Sequence, residues 1–349
     1  MIILPVDPVR QFASKVFNAC GSPPDEAAIV ADHLVTSNLM GFDSHGIIRV
    51  PEYVALVQKG AISPGAPMTI IKETSNTALI DCARNFGQVS AVHAMEQAIE
   101  KACHGNVAVV VTQRCSHVGR LGAYTEMAAR RGFVSIALCN SPRNGHFVQP
   151  WGGREGRLAT NPISFAFPQD SSDPILADFS TAEVPEGVLR VYRNRGVLLP
   201  GKWVVDAEGC PSDNPNDFYG PPRGAIIPFG GMKGYRGYAL SLLVEVMAGL
   251  LAGSHPTVDQ PGNGVAFVVL NLAAFLAREE YFALIAELRY YLKSSPPAPG
   301  HDEVLLPGEA DFRKKQERLE AGIPVDERTW EEILTVGASL GVEFIPSHD

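Results

Sequence analysis

The sequence has no Cys-x-x-Cys pair and no histidine cluster at zinc-ligand spacing, and its six cysteines (Cys20, Cys82, Cys103, Cys115, Cys139 and Cys210) are scattered. That pattern argues against a structural metal site and for free thiols in a reducing, cytoplasmic setting. His33, His93, His104, His146 and His255 likewise have no partner at metal spacing and read as structural. There is no Gly-x-Gly-x-x-Gly fingerprint, so the usual Rossmann turn is missing, and no Gly-x-Ser-x-Gly elbow, which disfavours a serine hydrolase. The N-terminus, Met-Ile-Ile-Leu-Pro-Val-Asp, lacks the basic region and long apolar run of a secretory signal. The most apolar segment, Tyr238 to Leu251, carries Glu245 and is too short for a bilayer, so it reads as a buried helix. Basic residues are outnumbered 29 to 38 by acidic ones. This disfavours a nucleic-acid surface and leaves room only for a local cationic pocket.

What is present is an ordinary globular composition over 349 residues, with 46% apolar and 19% charged residues, enough for about two domains with a sizeable core. Apolar residues recur at helical spacing from Pro23 to Met40, where Gly41 stops the pattern, and again from Ile47 to Lys59 before Gly60. The first 60 residues are therefore largely helical. Beyond Pro64, β-rich runs at 68–73, 77–81, 107–112 and 134–139 alternate with helical stretches at 88–104 and 121–131, the texture of an α/β layer. Between Asn140 and Pro228 the chain is rich in Gly, Pro and Asn, with short apolar runs at 163–167 and 175–179. A helix over 237–253, a strand over 264–270, a helix over 273–293, a Pro-rich break at 295–300 and a helix over 327–340 complete the expectation.

Four segments can carry chemistry. In Asp43-Ser44-His45-Gly46, with Arg49 four residues after the histidine, a helix starting here would put His45 and Arg49 on one face. An imidazole there can move a proton while the guanidinium clamps a carboxylate, which suits a 2-hydroxy or 2-oxo acid; alternatively Asp43 or Ser44 simply caps the helix. Ser116-His117-Val118-Gly119-Arg120-Leu121 follows an apolar strand and opens a helix, so it is either a site for dinucleotide phosphate, with Arg120 adding charge, or a tight turn capped by Ser116. Asp178, at the end of an apolar run, can orient a catalytic imidazole or cap the next segment. Phe229 to Tyr238 brings two cations and four glycines to a helix start, either an anion pocket or a flexible entry loop. Trp151-Gly152-Gly153 and Thr160-Asn161-Pro162 are close-approach backbone or plain turns.

These segments, together with Phe86-Gly87-Gln88, Asn140-Ser141-Pro142 and Leu305-Leu306-Pro307-Gly308-Glu309, resemble in order and spacing the non-Rossmann malate/L-lactate dehydrogenases over nearly the whole chain. That family includes ureidoglycolate, sulfolactate and hydroxycarboxylate dehydrogenases, 2,3-diketogulonate reductase and piperideine-2-carboxylate reductase. The resemblance implies an α/β (α+β) fold in which a non-Rossmann, mixed-sheet NAD(P)-binding domain (73–271) packs on a helical domain built from both chain ends (1–72 and 272–349). It implies NAD- or NADP-dependent interconversion of a small 2-hydroxy acid and its 2-oxo acid, or reduction of a cyclic imino acid, in a homodimer or larger homo-oligomer, with neither nucleic acid nor membrane as partner. By position, His45 is the acid/base, Ser44 its polar partner, Arg49 the carboxylate clamp, Asp178 the residue holding His45, and His117 a second histidine, the proton acceptor proposed in some members. The cofactor contacts it implies are His45, Gly119, Arg120, Leu121, Ser141, Thr160, Leu176, Asp178, Phe179, Ser180, Tyr235, Arg236, Gly308 and Glu309. Departures occur where the family has His-Lys or Tyr-Lys: Tyr235-Arg236 fills the position, with Lys233 as a competing match. Arg143 to Gln149 is long, Val188 stands in place of a lysine and Leu272 in place of a proline. These departures motivate a third expectation, a catalytically silent dinucleotide binder.

Overall fold

The computed structural model describes residues 1–170, 172–254 and 262–346; His255 lies outside them. Strand β1 (Ile2–Leu4) leads into helix α1 (Val6–Ala19), where Val9, Phe12, Ala13, Val16 and Phe17 recur at helical spacing on one buried stripe. Each of its two phenylalanines contributes about 1.5–3 kcal/mol by burial. Helix α2 (Pro24–Leu39) begins with Pro24 and the acids Asp25 and Glu26, the residues a helix N-terminus favours, and α3 spans Val50–Gln58.

The sheet strands follow: β2 (Thr69–Glu73), β3 (Thr77–Asp81), β4 (Val107–Cys115), β5 (Phe133–Cys139), β6 (Ile163–Phe167) and β7 (Ile175–Phe179). Helix α4 (Gly87–Gly105) lies between β3 and β4 and α5 (Gly122–Arg130) between β4 and β5. A smaller lobe holds α6 (Glu186–Arg195), β8 (Val204–Val205), β9 (Pro211–Ser212), α7 (Pro215–Tyr219) and β10 (Ala225–Ile226), its three strands ordered β10-β8-β9. Then come α8 (Tyr235–Val244), β11 (Asn263–Asn271), α9 (Arg278–Lys293), α10 (Glu309–Ala321), β12 (Ile323–Val325) and α11 (Glu327–Ser339).

The main sheet has the order β2-β3-β4-β11-β5-β6-β7. Only β3 and β4 run parallel, and β11 inserts antiparallel between β4 and β5. This is a mixed sheet without Rossmann order. Helices α4 and α5 pack against it over a core that includes Met95, Ala98, Val110, Tyr124 and Phe267. A second core joins α1, α2 and α3 to Ile323, Val325, Trp330 and Ile333 from the C-terminal segment, and β1 pairs with β12, Ile2 opposite Val325. The two chain ends thus build one helical layer, which Phe86 and Val89 of the following segment also enter.

Helix α8 differs from its expected burial. It continues through a π-helical segment (Glu245–Gly249) and a 3-10 turn (Leu250–Ala252), making an eighteen-residue apolar run. Val244, Ala248 and Ala252 pack on the sheet, but Leu242, Leu243, Val246, Leu250 and Leu251 are 38–55% exposed. The apolar composition predicts burial, yet the described residues cover only one face of this helix.

Candidate functional site

The segment around His45 is two 3-10 turns, Asp43–His45 and Ile47–Arg49, broken by the extended Gly46. His45 and Arg49 therefore do not share a helical face as the spacing suggested. The break is forced by packing: a Cβ on Gly46 would lie 2.1 Å from Oδ1 of Asn38, which accepts the Ile47 amide at 2.8 Å. Neither Asp43 nor Ser44 caps α3. Asp43 instead accepts from Asn38 Nδ2 and from Arg318 of α10, each at 2.7 Å, tying the loop to the C-terminal segment. Arg49 still comes beside the histidine, because its Nε donates to the Ser44 carbonyl at 2.7 Å while Nη1 pairs with Glu52 at 2.6 Å. Ser44 Oγ lies 3.0 Å from His45 Nδ1.

Seventy-two residues on in sequence, His117 lies beside His45. The two half-buried rings stand 5.6 Å apart, 22° from parallel. Tyr53 Oη is 2.7 Å from His117 Nδ1, and Gln88 Nε2 donates to Tyr53 Oη at 2.9 Å. His117 opens the Gly119–Gly122 turn, which is held from three sides. His33 Nε2 accepts the Arg120 amide at 3.0 Å, Tyr124 donates to the Val118 carbonyl at 2.5 Å, and Asp178 Oδ2 accepts the Gly122 amide at 2.6 Å. Gly119 sits at φ +71°, and a Cβ there would lie 2.3 Å from His33 Nε2, so close approach as well as backbone conformation demands glycine. Ser116 does not cap α5; its hydroxyl donates to the Arg84 carbonyl.

The electrostatics favour neutral imidazoles. Burial, then Arg49 and Arg120, push His45 down to about 4. Burial, Arg120 and His45 push His33 to about 3, and burial with His45, Arg49 and His33 holds His117 well below the usual histidine range. A histidine held neutral in the fold takes up its proton on unfolding, so the stabilisation is complete above an ordinary pKa near 6.5 and is lost as pH falls from there through the depressed values. Melting temperature is expected to drop between pH 7 and 4. A His33→Gln variant should show a shallower acid limb in thermal unfolding followed against pH.

Three of the expected cofactor segments converge on the turn. Leu176 donates its amide to the Pro307 carbonyl at 3.0 Å, a Cβ on Gly308 (φ +90°) would meet the Leu176 carbonyl at 2.9 Å, and Asp178 holds Gly122. Ser180 Oγ donates to the Thr160 carbonyl, bringing Thr160 alongside, and Phe179 packs near Phe229 of the glycine-rich loop. Tyr235 lies edge-on to Trp151, with Arg236 exposed next to it, while Glu183 Oε2 accepts the Gly230 and Gly231 amides. Ser141 joins through Asn263, in a buried polar knot where Asn140 and Asn161 both donate to Glu245.

Three side chains depart from their expected parts. Arg120 turns inward: its side chain is 1% exposed and pairs with Glu126 at 3.0 Å, so its charge is not offered at the surface. Asp178 holds the Gly122 amide, and the imidazole partner of His45 among the described residues is Ser44. Burial pushes the Asp178 carboxyl up, against the pull of the Gly122 amide and Arg120. The Glu309 carboxylate is taken up by Lys293 and the Leu306 amide.

A nicotinamide dinucleotide fits this junction by one observation: Arg120, beneath the turn, keeps Nε and Nη1 buried without a partner, whereas glycine at 119 and 308 is demanded by packing against His33 and Leu176. Among the described residues, no group of three His, Cys, Asp or Glu side chains could hold a metal. A groove of about 830 Å³ near the chain termini, lined by residues such as Ile3, Phe12 and Leu319, shares no residue with this cluster.

Sequence reading missed Tyr53, Gln88 as a polar contact, and His33. Tyr53 lies one helical turn beyond Arg49, a spacing that could have drawn attention to it.

A sequence model of the malate/L-lactate dehydrogenase family matches residues 4–334. The chain is 33% identical to malate dehydrogenase of Pyrococcus horikoshii over 98% of its own length and 96% of that protein's. It is 33% identical to hydroxycarboxylate dehydrogenase B of Escherichia coli, covering 96% and 93%. Among solved structures, a putative malate/lactate dehydrogenase from E. coli superposes with a TM-score of 0.90 at 32% identity, covering 98% and 96%. A mixed sheet of non-Rossmann order, a paired-histidine site and similarity along almost the entire length lead to one conclusion: this chain belongs to the malate/L-lactate dehydrogenase family.

Proposed function

We infer that the protein is a nicotinamide-dependent oxidoreductase interconverting a 2-hydroxy acid and its 2-oxo acid, with His45 as acid/base. The observation that carries this is the neutral His45–His117 pair beside Arg49. In oxidation His45 Nε2 takes the substrate hydroxyl proton, and in reduction the protonated ring returns it to the nascent alkoxide. Arg49 Nη2, which has no hydrogen bond among the described residues, receives the carboxylate. That incoming negative charge offsets the Arg49 cation that depresses His45, so the base strengthens as substrate arrives. Gly119–Leu121, Ser141, Thr160, Leu176–Ser180, Tyr235–Arg236 and Gly308–Glu309 line the dinucleotide, with Asp178 and Arg120 shaping the turn from beneath. Bound there, the nicotinamide supplies hydride transfer at C2.

The test is purified protein with NADH or NADPH and a panel of 2-oxo acids and cyclic imino acids, following loss of reduced-nicotinamide absorbance. Turnover of a 2-oxo acid is expected, and the better cofactor identifies the preference. Cofactor binding without turnover of any acid would favour the silent binder, and turnover confined to cyclic imines the reductase alternative.

The assembly we infer is a homo-oligomer in which a second copy covers the exposed Leu242, Leu243, Val246, Leu250 and Leu251 face, since apolar patches of this kind mark association surfaces. Leu243→Asp with Leu250→Glu is expected to lower the mass measured by sedimentation equilibrium to that of a single 37.5 kDa chain. An unchanged mass would place the interface elsewhere.

A further inference from the structure

Two buried groups back the histidine pair, and their donor arithmetic separates the parts played by the two rings. Tyr53 is 1% exposed and Gln88 0%, so water does not compete for their hydrogen bonds. The Gln88 amide nitrogen can only donate, and it gives a hydrogen to Tyr53 Oη at 2.9 Å. The single Tyr53 O–H is then directed at the acceptor in reach, His117 Nδ1 at 2.7 Å. A ring nitrogen that accepts carries no proton, so the neutral His117 bears its hydrogen on Nε2. Burial pushes the Tyr53 hydroxyl far above the usual tyrosine range, so this donor persists at any working pH.

Resting on the reading of His45 as acid/base, we propose that Tyr53 and Gln88 are positioning residues that lock His117 as its Nε2–H tautomer, making His117 a hydrogen-bond donor to the C2 oxygen of the substrate. The substrate hydroxyl then gives its proton to His45 Nε2 while its oxygen accepts from His117 Nε2–H. The latter bond strengthens in reduction as negative charge develops on that oxygen, the behaviour of an oxyanion donor. His117 neither gains nor loses a proton. The carboxylate clamp and the tautomer lock are borne by one short stretch, Arg49 just before α3 and Tyr53 in its first turn, so substrate position and donor position are set together.

The experiment is nitrogen NMR on protein carrying ¹⁵N-histidine, with the His117 signals assigned through a His117→Gln variant. In the wild type, His117 Nδ1 should resonate as an unprotonated nitrogen and Nε2 as a protonated one. Tyr53→Phe should mix the tautomers and lower kcat about tenfold, with KM for the acid changing less. Gln88→Glu, whose carboxylate accepts from Tyr53, should reverse the chain and move His117 toward Nδ1–H, a response that a purely structural role would not produce. His117→Gln, which keeps an N–H near the Nε2 position, should lose less activity than His117→Ala. A protonated Nδ1 in the wild type, the result of a Gln88 amide turned the other way, overturns the proposal, as does a Tyr53→Phe variant with both tautomer and kcat unchanged. The nitrogen shifts are read on protein alone, so they decide the tautomer even if no acid is turned over.

Discussion

His45→Ala is expected to lower kcat/KM for the preferred 2-hydroxy acid about 10²–10⁴-fold, the span for removing a positioned general base. Cofactor affinity, measured by quenching of intrinsic fluorescence, should stay close to wild type, because the fixed backbone at Gly119, Leu176 and Gly308 does not depend on the imidazole. The pH profile supplies a second, signed reading. Oxidation requires neutral His45, so kcat/KM for oxidation should fall as pH drops toward the depressed pKa of about 4. Reduction requires its protonated form, so the reductive rate should fall as pH rises. Arg49 acts on both limbs, since its cation, after burial, is the main cause of the depression. A His45→Ala enzyme that binds cofactor and turns over at the wild-type rate would remove His45 from the chemistry.

Much of this site was legible because its residues sit in motifs at strand ends and turns. β-rich and short apolar runs located β3, β4, β5, β6 and β7 to within a few residues, since those segments bury alternate or continuous apolar faces. Helices α6 and α10 left no such trace: each buries a single residue, Leu189 and Phe312, and mixes charged side chains with exposed apolar ones such as Val191 and Leu319 elsewhere. The insertion of β11 between β4 and β5 is a pairing over more than a hundred residues that no local pattern encodes. The shared His45–Arg49 face failed because Gly46, pressed against Asn38, breaks the helix at a contact invisible to spacing. His33 read as a structural histidine with no assigned contact, yet it accepts an amide 87 residues away and shapes the turn behind His117. A motif marks which residues matter. Which way each points is decided by long-range contacts, as the inward-turned Arg120 illustrates.

That buried arginine gives the largest expected effect on stability. Glu126 Oε2 accepts from Arg120 Nη2 at 3.0 Å and Oε1 from Arg130 Nε at 2.9 Å. Glu126→Ala would leave the Arg120 guanidinium buried without its hydrogen-bonded carboxylate, with Asp178 and Asp311 acting on it only through space and Nε and Nη1 already lacking partners. Breaking a buried pair from one side costs about 3–5 kcal/mol, so the melting temperature should fall on the order of 4–7 °C. Asp173→Ala provides the contrast: its pair with Arg130 has both side chains near 45% exposed and should be worth no more than about 1 kcal/mol. Burial alone would raise the Glu126 carboxyl, but Arg120, Lys315 and Arg130 outweigh it and hold the group below the usual glutamate range. Its stabilisation is therefore present above the ordinary glutamate pKa and is lost as pH falls through the depressed one, so the wild-type advantage over Glu126→Ala should shrink in acid. The double variant Arg120→Met, Glu126→Met removes both charges and should regain most of the lost stability, as replaced buried pairs often do. It should still bind dinucleotide more weakly, because the cation beneath the Gly119–Gly122 turn is gone. A single Glu126→Ala variant as stable as wild type would mean that the guanidinium reaches water when its partner is removed.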